Sequence, residues 1–166
     1  MSPSAALPVF DRDRLRWRWC LFDALSVHEL QAIFRARLQV FAIEQQCVYQ
    51  DIDGVDAYAS HLAAWAGDEA SVLMPLAYAR VVQPGVKYAE PSIGRVLTTD
   101  AARGIGLGRE LVRRAIAQCR ETYPGRGIRI SAQSRLERFY GGFGFVAQCE
   151  PYLEDGIPHT EMLLPA

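Results

Sequence analysis

The chain has 166 residues; half are hydrophobic, 22% are charged, and 18 basic residues against 19 acidic ones leave a formal charge of −1. That length fits one domain with enough chain to bury a core unaided by disulfides or metals. The composition excludes a disordered chain, a fibrous repeat and a supercharged binder, and near-neutrality leaves no global field to hold nucleic acid or an anionic membrane.

Residues 1–14 carry two prolines, small residues and a D-R-D-R run, and read as a loosely ordered tail ahead of a single domain over 15–166. Leu15, Trp17, Trp19 and Leu21 alternate at period two, a strand signal. Ser26 and Glu29 have the S-x-x-E form of a capping box, and Leu30, Ile33, Phe34, Leu38 and Phe41 follow at helical spacing, which predicts a helix over 27–43. Residues 44–60 are polar and acidic, with Asp51, Asp53 and Asp56 around Gly54, and read as loop or short helix. Strands are predicted at 61–66 and 76–82 around a turn at 67–69, and at 93–99.

Leu107, Leu111, Val112, Ala115, Ile116 and Cys119 then form one apolar face of a helix that stops at Tyr123 and Pro124. A short strand at 128–132, a short helix at 134–141 and two terminal strands at 143–149 and 159–164 complete the order β-α-β-β-β-α-β-α-β-β. This is a mixed α/β layer fold. No stretch reaches the ~20 apolar residues of a membrane span, the N-terminus lacks the apolar core of a signal peptide, and cytoplasmic is the default expectation. Cys20, Cys47, Cys119 and Cys149 form no C-x-x-C pair, and they and the three histidines show no metal-site spacing, so reduced thiols and no metal are expected.

The strongest local signal is the strand that runs into the glycine-rich turn Arg103 to Gly108 and opens a helix. Unpaired N–H groups and the positive dipole end of a first helical turn, approachable over glycines, make an anion site suited to a diphosphate. The turn is no Walker A loop, and Gly108 comes one residue early for a G-x-G-x-x-G fingerprint. It does match the R/Q-x-x-G-x-G/A acyl-coenzyme A loop of the GNAT superfamily of N-acetyltransferases. Gln133, Leu136, Phe139 and Tyr140, followed by Gly144 and Phe145, resemble that family's N-x-x-A-x-x-F-Y…G-F segment, with Gln for Asn and Leu for Ala. Arg37, Val40, Phe41, Glu44, Gln45, Cys47, Tyr49, Asp51, Asp53 and Gly54, with the tail from Glu154 to His159, resemble the ElaA branch; Val48 stands where proline is expected.

The resemblance implies a GNAT fold, with a central, mostly antiparallel mixed sheet flanked by helices. It implies transfer of an acyl group, acetyl first, from acetyl-CoA to a primary amine of a small molecule or peptide, directly in a ternary complex. The backbone of Arg103, Gly104, Ile105, Gly106, Leu107 and Gly108 would hold the pyrophosphate, Leu97, Thr98 and Thr99 would pair with the pantetheine arm, and Gln133 belongs to the same binding set. Tyr140 is the candidate general acid for the departing thiolate and Glu44 the candidate base. Tyr49, Asp51, Asp53, His61 and His159 are the candidate acceptor-binding residues, and either histidine could act as a base through water. Two other readings share these residues: acyl transfer like that of acyl-homoserine-lactone synthases, and a non-catalytic acyl-CoA sensor. A homodimer, paired through terminal strand edges, is a further expectation.

Overall fold

The computed structural model describes residues 15–67 and 74–166. The predicted tail at 1–14, and Asp68 and Glu69 of the predicted turn, lie outside the described residues.

The strands are β1 (Leu15–Leu21), β2 (Ala59–Ala66), β3 (Ala77–Val82), β4 (Ser92–Thr98), β5 (Ile128–Gln133), β6 (Val146–Ala147), β7 (Tyr152–Glu154) and β8 (Ile157–Leu164). They form one sheet in the order β1-β2-β3-β4-β5-β8-β6, with β7 also paired to β8. Every pairing is antiparallel except β4 with β5. The fold class is therefore the expected one. Helices α1 (Val27–Arg37), α2 (Leu107–Thr122) and α3 (Glu137–Gly141) complete it.

The capping box forms: Glu29 N–H donates to Ser26 Oγ at 3.1 Å and Ser26 N–H to Glu29 Oε2 at 2.9 Å. Arg18 on β1 also reaches Glu29 and fixes the helix entry. Period-two alternation sends the two faces of β2 and β3 to opposite helices. Ala63, Trp65 and Tyr78 pack with Ile33 and Ala36 of α1, while Leu62, Ala64, Ala79 and Val81 pack with Leu111, Val112 and Ala115 of α2. Both central strands are thus covered on both sides, which explains their near-continuous apolar runs.

Three elements differ from expectation. The helix predicted to 43 widens after Arg37 into π-helical turns over Leu38–Glu44, closed by Gln45 N–H to the Val40 carbonyl at 3.0 Å. The strand predicted at 143–149 shrinks to β6, because Phe143 and Gly144 still bond back to Tyr140 and Gly141 and Gly144 sits at φ +96°. The strand β7 was not expected. It forms a hairpin with β8 in which Asp155 and Gly156, at φ +49° and +77°, span the two-residue loop between Glu154 and Ile157. Two left-handed residues make this a type I′ turn, the geometry that Asp-Gly favours.

Candidate functional site

The parallel strands β4 and β5 touch at a single register pair, Ser92 with Arg129, and then diverge. A cavity of about 520 Å³ fills the gap. Its walls come from β4, β5, Arg135 and Leu136 ahead of α3, Tyr140 near the end of α3, the π-helical turns with the loop 45–53, Lys87 and the β7–β8 hairpin. On β4 a bulge places one extra residue against Ala79, and Arg95 takes φ +52°. The bulge turns the Arg95 side chain toward the loop 45–54, where it covers the Tyr49 ring at 5.1 Å.

At the other end of β4 the glycine turn enters α2. Gly104 and Gly106 have φ +81° and +77°, values that L side chains rarely adopt. The first bond of α2 runs from Glu110 N–H to the Gly106 carbonyl, so the amides of Gly106, Leu107, Gly108 and Arg109 have no partner within the helix. Nothing lies within 4 Å of a Cβ built at Gly104, and one at Gly108 would meet only Thr98 Cγ2 at 3.8 Å. The turn is an open cradle of donors that fits a diphosphate. The Arg103 guanidinium stands beside it, bonded to Glu44 and to the Thr98 carbonyl.

The three expected arm-pairing residues face different ways. Thr99 N–H donates to the Leu76 carbonyl at 3.0 Å, and the Thr99 carbonyl accepts from Ala102 N–H at 2.9 Å. Strand alternation turns Leu97 toward β3 as well and leaves Thr98 facing the open side. Leu97 and Thr99 therefore have their backbone groups committed inside the fold.

The acidic loop is neutralised from within. Arg37, wholly buried, bonds Asp51 Oδ2 at 2.8 Å and Asp56 Oδ1 at 2.6 Å. Arg80 grips Asp53 with two hydrogen bonds, at 2.7 and 2.9 Å, and Arg95 lies 2.7 Å from Asp51 and 3.2 Å from Asp53. Burial pushes the Asp53 carboxyl up, but the bonds and charge of Arg80, with Arg95, hold it well below the usual carboxylate range. Asp51 and Asp53 were expected to bind a cationic acceptor; they serve these arginines instead, and Asp51 does not line the cavity. His61 is also displaced from that role. It is 1% exposed, with Nδ1 at 2.8 Å from the Tyr78 hydroxyl and Nε2 at 3.0 Å from the Asp56 carbonyl, and burial lowers its pKa.

Tyr140, Gln133, Tyr49 and His159 do meet in the cavity. The Tyr140 ring packs edge-on against Phe139 and Phe145, at centroid distances of 5.1 and 5.9 Å. Its hydroxyl has no hydrogen bond to any described residue, and burial raises its pKa to about 12, so the phenol keeps its proton at neutral pH. Burial likewise pushes the Tyr49 phenol up to about 12. Gln133 accepts from Arg135 at 2.8 Å and donates to Gln45 at 3.3 Å. Glu44 lies outside the cavity wall, on Arg103.

Sequence reasoning passed over several wall residues: Lys87, Arg95, Ser131 and Arg135. Ser131 donates to Glu154 at 2.8 Å and, having one proton to give, accepts from the Tyr152 hydroxyl at 2.6 Å. The Asp-Gly turn signal marks the hairpin that carries Tyr152 and Glu154; nothing local marks Lys87 or Arg95. Among the described residues no group of three or more His, Cys, Asp or Glu could hold a metal, and no helix is long and apolar enough to cross a membrane.

A family model described as an acetyltransferase (GNAT) domain matches residues 29–165. A UPF0039 protein of Synechocystis sp. is 40% identical, over 90% of this chain and 94% of that protein. A crystal structure of an acyl-CoA N-acyltransferase from Pseudomonas aeruginosa superposes with a TM-score of 0.83 at 39% identity, over 90% of this chain and 98% of the other. Escherichia coli ElaA gives a TM-score of 0.81 at 36% identity, over 90% and 98%. With its splayed β4 and β5 and the open amide cradle ahead of α2, this chain belongs to the GNAT acetyltransferase family, on the branch that includes the ElaA proteins.

Proposed function

We propose that the chain transfers an acetyl group from acetyl-CoA to a primary amine of a small molecule or peptide, directly within a ternary complex. The observation that carries this reading is the opening between β4 and β5, a cavity walled by Tyr140 beside the strand whose far end runs into the glycine cradle. The amides of Gly104 to Arg109 would hold the diphosphate, and Thr98, whose carbonyl also accepts from Arg103, would turn its open-side backbone to the arm. Tyr140, protonated at neutral pH, donates to the sulfur as the thioester breaks. A positioned acid is worth ~10²–10⁴-fold, and orienting the amine beside the thioester supplies much of the rest. The four free thiols suit a reducing, cytoplasmic setting.

The test is calorimetric titration with acetyl-CoA of the wild type and of Gly106→Glu and Gly108→Glu. Each substitution sends a carboxylate into the cradle. Binding by the wild type that is lost in both folded variants supports the reading. A folded wild type that binds no acetyl-CoA overturns it.

A further inference from the structure

We propose that His159 is the general base that deprotonates the acceptor amine, through Nε2; this rests on the acyl-transfer reading above. A primary amine at neutral pH is an ammonium ion with no lone pair to attack a thioester. The site must take one proton before bond formation.

The acids and bases of the cavity are few. Asp53 is held by Arg80 and Arg95, and Glu154 accepts a hydrogen bond from the Ser131 hydroxyl. Asp155 sits in the exposed hairpin turn, and Glu44 is outside the cavity, on Arg103. His159 remains. Its Nδ1 lies 2.8 Å from the Ile157 carbonyl. A carbonyl oxygen only accepts, so the Nδ1 of the neutral ring carries the proton, and Nε2 carries the free lone pair. No described residue bonds Nε2.

The ring is also held in place. His159 lies on β8 between two paired strands, opposite Gln133 on β5 and Tyr152 on β7, and the Tyr152 ring tilts against it at 6.4 Å. The ionisable groups that share the cavity wall with His159 include Lys87, Arg95, Arg135, Asp53, Glu154 and Asp155, and the Tyr152 ring packs on the imidazole.

The proton count closes. His159 Nε2 takes the first proton from the ammonium and gives it to solvent, which is the net proton of the reaction. The freed nitrogen forms its bond to the acyl carbon. Tyr140 protonates the sulfur as the carbon–sulfur bond breaks. The second proton, lost from the quaternised nitrogen, restores the phenol.

The test uses two nucleophiles with acetyl-CoA at pH about 7.5, where ethanolamine is protonated and hydroxylamine is already neutral. Thiol release is measured for the wild type, His159→Gln and Glu154→Gln. His159→Gln is expected to lose at least ~10²-fold in the ethanolamine reaction and less than ~3-fold in the hydroxylamine reaction, because only the first needs a base. Equal loss with both nucleophiles, or the selective loss appearing in Glu154→Gln instead, overturns the assignment. Nitrogen-15 spectra of the imidazole give a second readout that needs no acceptor. The Nδ1–H tautomer is expected, and an Nε2–H tautomer overturns the proposal. A wild type that releases thiol with neither nucleophile counts against the acyl-transfer reading, and the tautomer then decides the state of His159 by itself.

Discussion

The Arg103 guanidinium lies on the Glu44 carboxylate and so ties the end of the π-helical turns to the loop that opens α2. The same guanidinium donates to the Thr98 carbonyl at 3.1 Å. Glu44 is thus a neighbour of the glycine cradle, apart from the cavity between β4 and β5. Replacing Glu44 by Gln frees Arg103 for a phosphate and removes a negative charge beside it. Both effects are expected to tighten acetyl-CoA. The Arg103 side chain is 43% exposed, so screening limits the pair to at most ~1 kcal/mol, or about fivefold in affinity. Calorimetry is expected to show that modest tightening, with kcat changed by far less than the ~10²-fold that removal of a general base costs. A kcat loss of that size with unchanged affinity would return the base to Glu44.

Tyr140→Phe separates the two roles of that side chain. The ring is core material, between Phe139 and Phe145, and phenylalanine keeps it. The hydroxyl bonds no described residue, so its removal leaves no partner unsatisfied, and the melting temperature is expected to stay within a degree or two of wild type. Thiol release is expected to fall ~10²-fold or more with acetyl-CoA affinity unchanged. Stability and turnover falling together would mark Tyr140 as a packing residue.

Arg37→Met tests the buried ion cluster. Arg37 is fully enclosed and answers Asp51 and Asp56 together, so its loss strands two buried carboxylates. Breaking one side of such a pair costs ~3–5 kcal/mol. Urea denaturation is expected to show a loss in that range. A loss below ~1 kcal/mol would mean that the loop re-solvates its aspartates, and that the cluster does not hold the cavity wall. Asp53 is more exposed and keeps Arg95 if Arg80 is lost, so Arg80→Met is expected to cost less.

What the sequence made legible was local. The capping box at Ser26, the apolar face of α2 and the glycine turn each lie within a few consecutive residues, and each forms as its spacing requires. The long-range chemistry was hidden. Asp51, Asp53 and Asp56 look like a cation-binding loop until Arg37, Arg80 and Arg95 arrive from 14 to 44 residues away. His61 reads as a possible site residue because its burial depends on β1 and β3 closing on either side of it. The strand β7 escaped because Leu153, 74% exposed, gives it no inward apolar face, although Asp155 and Gly156 announce its turn.

The same buried groups fix how stability responds to pH. Burial lowers the folded pKa of His61 below its ordinary ~6.5, so the unfolded chain binds the extra proton. Its contribution is complete above ~6.5 and is lost as pH falls below that value. Asp53, held low mainly by Arg80 against the upward push of burial, acts in the same sense further down. Its contribution is complete above ~3.9 and fades below it. Burial raises the Cys119 thiol to about 12, which works the other way, and that contribution weakens as pH climbs past ~8.5. Stability should therefore be flat between ~6.5 and ~8.5 and fall in two stages on the acid side. Urea midpoints measured from pH ~8 to ~2 for the wild type and His61→Gln resolve the stages. The variant, less stable overall, is expected to lose the first slope, between ~6.5 and ~5, and keep the second. If its slope in the first window matches that of the wild type, His61 is not the titrating group.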